Sequence, residues 1–171
     1  MGSAPEATTE RQHFAVAALS LWLIGTSPWV SMLRRVPSGA GWLDYAHVVI
    51  GCVLLVLALA YLRTCTRNGR WQLYFPYAPG QIGNVGRDLA GLLRGRVPAS
   101  EGGGLFGLIE GLLLALLITT AVTGVAWLLT GGSVEALAWR DYHILAARSL
   151  IGLLLLHVLS VATHLLDLLR D

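Results

Sequence analysis

Residues 142–166 read YHILAARSLIGLLLLHVLSVATHLL. A helix that crosses a bilayer needs about 20 predominantly apolar residues, and this run meets that length. Yet it carries His143, His157, His164 and Arg148. Ionisable groups inside hydrocarbon are expensive, so they point to function. Fourteen residues of α-helix return to within about 40° of the starting direction after a rise of roughly 21 Å. His143 and His157 therefore share one helix face at two depths.

Three further runs of spanning length lie upstream. Together the spans predict helices at about 13–33, 45–63, 105–129 and 141–168. They form one domain over 1–171, with a polar loop at about 64–104. Over half of the 171 residues are apolar and only 13% are charged. A soluble domain carries about 25% charged residues, so much of this surface must face lipid. Backbone groups in hydrocarbon are satisfied within a helix, which predicts an all-α integral membrane four-helix bundle. The first run is too long and too weakly flanked by basic residues for a cleavable signal peptide. Pro28, near its far end, should kink or stop it.

All twelve basic residues are arginine. Arg63, Arg67, Arg70, Arg87, Arg94 and Arg96 lie in the loop between the second and third spans, with Arg11 and Arg170 on the same side. Arg34, Arg35 and Arg140 lie opposite. The excess of positive charge places both termini and the long loop in the cytoplasm of a bacterial cell, and the chain as a multi-pass protein in its inner membrane. The six tryptophans, Trp127 and Trp139 among them, mostly sit near span ends, as an interfacial belt would. Residues 71–80 are rich in aromatics and proline and should be irregular, and 81–93 should form an amphipathic helix on the membrane surface. Gly103, Gly107 and Gly111 form a small-xxx-small row suited to close helix packing.

Five histidines are present. His47 opens the second span, level with His143 near the outer surface. His13 opens the first, on the same side of the bilayer as His157. Two pairs at two depths are the geometry of two bis-histidine haems stacked across a bundle. Two imidazoles saturate a haem iron, which favours electron transfer over oxygen binding. Gly51 follows His47 by one turn, and Ala146 and Ala147 follow His143, leaving clearance for a flat macrocycle. Cys52 and Cys65 form no C-x-x-C-H, so covalent haem attachment is excluded and both read as reduced packing residues.

His13, the Asp44-Tyr45-Ala46-His47 segment and the His143/His157 pair resemble the bacterial cytochrome b-561 family, which includes the cytochrome b subunits of nickel-iron hydrogenase and formate dehydrogenase. The resemblance spans nearly the whole chain. It implies two haems b, the outer held by His47 and His143, the inner by His13 and His157. It also implies a link to membrane quinone and a redox protein partner such as a dehydrogenase, hydrogenase or c-type cytochrome. Some family members are thought to act alone as superoxide:quinone oxidoreductases, so enzymatic activity of this chain stays open. The chain has no cluster motif and no nucleotide fingerprint of its own.

Other polar residues keep two readings each. Arg148 either neutralises an outer-haem propionate or snorkels to the outer interface. Glu110 either moves protons at a quinone site or pairs with a loop arginine. His164 could line a quinone site, replace His157 as inner ligand, or sit at the interface as a plain polar group. Histidine-based metal transport and a non-redox membrane anchor are the competing functions. Zinc sites group their ligands closely, whereas these fall into pairs about 20 Å apart along the bilayer normal. No nucleic-acid partner is expected, and a homodimer is left open.

Overall fold

The structure is a computed structural model that describes residues 4–67, 71–75, 82–94 and 104–168, with side chains throughout except at 4–7, 92 and 163–168. Every regular element among the described residues is helical: α1 (Ala4–Thr26), a 3-10 turn at Ser27–Trp29, α2 (Trp42–Thr66), α3 (Trp71–Tyr74), α4 (Ile82–Leu92), α5 (Leu105–Leu129) and α6 (Glu135–Leu168).

Among the described residues, three helices are long and apolar enough to cross a membrane: α2, α5 and α6 over Glu135–Ala162. The first expected span is cut short. Pro28 falls in the 3-10 turn that ends α1, and the Thr26 and Ser27 hydroxyls turn back onto the carbonyls of Trp22 and Ile24. The apolar part of α1, 14–25, is 12 residues long. That is about 18 Å of helix, against a hydrocarbon thickness of about 30 Å. α6 departs in the other direction and begins at Glu135, six residues before the expected start at 141. The segment Glu135-Ala-Leu-Ala-Trp139 consists of good helix formers, so the helix runs on beyond the apolar stretch.

The described chain forms two compact units. The first comprises Met1–Thr64 and Leu116–Leu150. Val16, Leu54, Ala58, Leu117, Trp127, Ala136, Ala146 and Leu150 are buried there. On α2, Val49, Val53 and Val56 form an exposed stripe at helical spacing. Leu54 and Ala58 lie on the opposite face. That is the reverse of a soluble protein's economy and fits a lipid-facing surface.

The loop after α1 is held by its backbone. The carbonyls of Met32, Leu33 and Arg34 accept from Arg140 Nε, Trp127 Nε1 and the Gly132 N–H, each at 2.8 Å. The buried Asp44 carboxylate accepts the Ser31 and Gly41 N–H groups at 3.1 and 3.0 Å. Gly132 has φ +91°, a conformation that glycine adopts without strain. Trp127 is thus a core residue with a bonded indole and no part of an interfacial belt, whereas Trp29 and Trp42 are exposed as a belt requires.

The second unit comprises Cys65–Ala115 and Ile151–Asp171. Where an irregular stretch was expected from residue 71, Trp71–Tyr74 make one helical turn; residues 76–81 lie outside the described residues. α4 forms over Ile82–Leu92, close to the expected 81–93. Asp88 on α4 accepts the Leu105 N–H at 2.8 Å, capping the start of α5. Gly107 and Gly111 pack closely against another helix, as expected for small residues. A Cβ at Gly107 or Gly111 would collide with the carbonyl oxygen of Leu73 or Tyr74, so α5 meets the backbone of α3 there. Gly103 lies outside the described residues. Cys65 is fully buried and Cys52 half-buried, and both thiols are free.

Candidate functional site

In the first unit α2 and α6 bring His47 and His143 together. Their ring centroids are 6.3 Å apart and their planes cross at 84°. Two imidazoles bound to one metal through bonds of about 2.0–2.1 Å put their ring centres roughly 6–6.5 Å apart. The observed spacing would let both rings reach one iron.

The neighbours of each ring agree. His143 Nδ1 lies 2.8 Å from the Thr120 carbonyl oxygen on α5. A carbonyl can only accept, so Nδ1 carries the proton and Nε2 keeps its lone pair for a metal. His47 Nδ1 is buried without a hydrogen-bond partner among the described residues, an uncommon state for a buried polar group. Gly51, one turn after His47, is half-buried, yet a Cβ there would meet nothing within 4 Å. Half-buried open space beside an imidazole pair fits a flat group, so these residues fit a haem.

A family model described as prokaryotic cytochrome b561 matches residues 7–170. The chain belongs to that family. It is a membrane-bound cytochrome that binds haem b and transfers electrons. No characterised protein and no solved structure matches it.

The remaining histidines of this cytochrome are placed separately. His13, exposed on α1, sets its Nδ1 3.2 Å from the Tyr61 hydroxyl on α2, with the rings edge-on at 5.9 Å. His157 lies in the second unit on α6, half-buried, with Nδ1 shielded from solvent. His164 belongs to α6, and its side chain is outside the described residues. Glu110 is exposed on α5 in the second unit. Arg148 is exposed and has no ion pair or hydrogen bond with a described residue. Five residues beyond His143, it points about 140° away around the helix. Among the described residues no three His, Cys, Asp or Glu side chains gather into a site for a bare metal ion.

Some site residues carry a sequence signal that hydropathy alone passes over. Thr119, Thr120, Thr123 and Gly124 interrupt the apolar third span with a short polar cluster, and Thr120 and Gly124 adjoin His143. Asp44 stands three residues before His47, and Tyr61 follows His47 by the same fourteen residues that separate His143 from His157.

Proposed function

We propose that this cytochrome carries electrons across the bacterial cytoplasmic membrane through two bis-histidine haems b, linking the quinone pool to a redox protein partner. His47 and His143 hold the outer haem, and His13 and His157 the inner one. α1 together with the apolar run that continues from it to Leu33, then α2, α5 and α6, are its four spans, with both termini in the cytoplasm. When bound, each haem supplies a one-electron ferric/ferrous couple, and the protein supplies position and potential.

The observation that carries this reading is the 6.3 Å spacing of the His47 and His143 rings. The bond from His143 Nδ1 to the Thr120 carbonyl supports it by fixing which imidazole nitrogen is free. The Tyr61 hydroxyl lies at His13 Nδ1 on the proposed inner ligand, and where Nδ1 donates that bond Nε2 is left for the iron. Glu110 and His164 are the candidates for quinone contact, because both lie on the cytoplasmic halves of their helices. Purified protein should give a reduced-minus-oxidised spectrum of b type and two non-covalent haems per chain by pyridine haemochrome. A stoichiometry of zero or one defeats the reading.

A further inference from the structure

His143 sits against a part of α5 built to receive it. An added Cβ at Gly124 would stand 3.2 Å from both Nδ1 and Cε1 of the ring. That is tighter than ordinary contact, so the absent side chain leaves the ring its place. One turn earlier, Thr120 offers the carbonyl that accepts the Nδ1 proton. The buried Thr123 hydroxyl points at the same oxygen, 2.8 Å away, and at the Thr119 carbonyl, 2.9 Å away. A carbonyl has two lone pairs, and on Thr120 the imidazole and the threonine hydroxyl compete for them.

Resting on the assignment of His143 as an outer-haem ligand, we infer that Thr123 and Gly124 are positioning residues that set the orientation and basicity of that ligand. Gly124 admits the ring. Thr123 draws acceptor strength from the Thr120 carbonyl and so weakens its pull on the Nδ1 proton. A weaker pull makes the imidazole a poorer electron donor to iron, which favours the ferrous state and raises the potential of the outer haem. Removing the hydroxyl reverses this: the carbonyl pulls harder, the imidazole becomes more basic, and the ferric state gains.

The test uses Thr123→Val, Thr123→Ser and Gly124→Ala in the intact haem-loaded cytochrome, read by haem content, redox titration and low-spin ferric EPR. Thr123→Val keeps the shape and should keep both haems. It should shift the outer haem's reduction equilibrium toward ferric by about three- to tenfold, tenfold being about 59 mV for one electron. Thr123→Ser retains the donor and should titrate like the parent. Gly124→Ala should weaken retention of the outer haem by about 10- to 100-fold and alter its EPR signal, with the inner haem unchanged. Where valine prevents accumulation, Thr123→Ala removes the same hydroxyl. Nitrogen-15 NMR of histidine-labelled apoprotein should show His143 protonated at Nδ1 in the parent and a changed Nδ1–H shift in Thr123→Val. Full haem content with an unmoved outer potential in Thr123→Val overturns this inference alone, and so does a serine variant that shifts as far as valine. Absence of an outer haem from the parent overturns the ligand assignment itself.

Discussion

The indole nitrogen of Trp127 on α5 donates to the main-chain carbonyl of Leu33, 94 residues away in sequence, at 2.8 Å. Trp127 is buried, so the bond ties the loop after α1 to the interior of its unit. Trp127→Phe keeps the aromatic bulk and loses the donor. It should cost about 0.5–1.5 kcal/mol, whereas Trp127→Ala should cost about 3–5 kcal/mol by also opening a cavity. Thermal unfolding in detergent distinguishes the two, and equal losses would mean that the hydrogen bond contributes nothing.

Asp44 holds two backbone N–H groups of the same loop from the first turn of α2, three residues before His47. Asp44→Ala leaves both donors unpaired and should destabilise the first unit by about 1.5–3 kcal/mol per lost charged bond at most. The outer haem should then dissociate more readily than the inner one. Haem transfer to apomyoglobin measures both rates, and an equal acceleration of the two would contradict a local effect.

The ligand assignment sorts four substitutions into two phenotypes. His47→Ala and His143→Ala should each abolish the outer haem and spare the inner. His13→Ala and His157→Ala should do the opposite. Redox titration of the two b-type absorbances shows which is missing. His164→Ala should leave both in place. Loss of the inner haem in His164→Ala with its retention in His157→Ala would move the inner ligand one step along α6.

Gly107→Ala or Gly111→Ala would drive a methyl group into the Leu73 or Tyr74 carbonyl. Backbone cannot rotate aside as a side chain can. The expected cost is about 1–3 kcal/mol, with α3 displaced and residues near 71–75 cut faster by protease. The His47/His143 site should keep its spectrum. Unchanged proteolysis would show that the two backbones have room to part.

The strongly apolar elements were legible in the sequence because hydropathy is a property of many residues at once. α2, α5 and α6 therefore stand close to where composition puts them. Their ends were harder to read. α6 begins six residues early because a helix leaves the apolar zone without any change in backbone geometry. α1 stops at Thr26 because Pro28 acts locally against an apolar run that continues to Leu33. That His47 lies level with His143 was legible from depth alone, and their rings do meet. The Thr120 bond was not, since its acceptor is a main-chain carbonyl and carries no residue signature. The exposure of Arg148 was not legible either, since spacing fixes its direction around α6 but not what packs there.

Met32, Leu33 and Arg34 give up three successive carbonyls to donors on other segments, while the side chains of Leu33 and Arg34 stay exposed. The path of this loop is thereby written in Trp127, Arg140 and Gly132, and its chemistry is written in the loop itself. The two can change independently. Exchanging Leu33, Arg34 or Arg35 alters what this loop presents without moving the strand of chain that presents it.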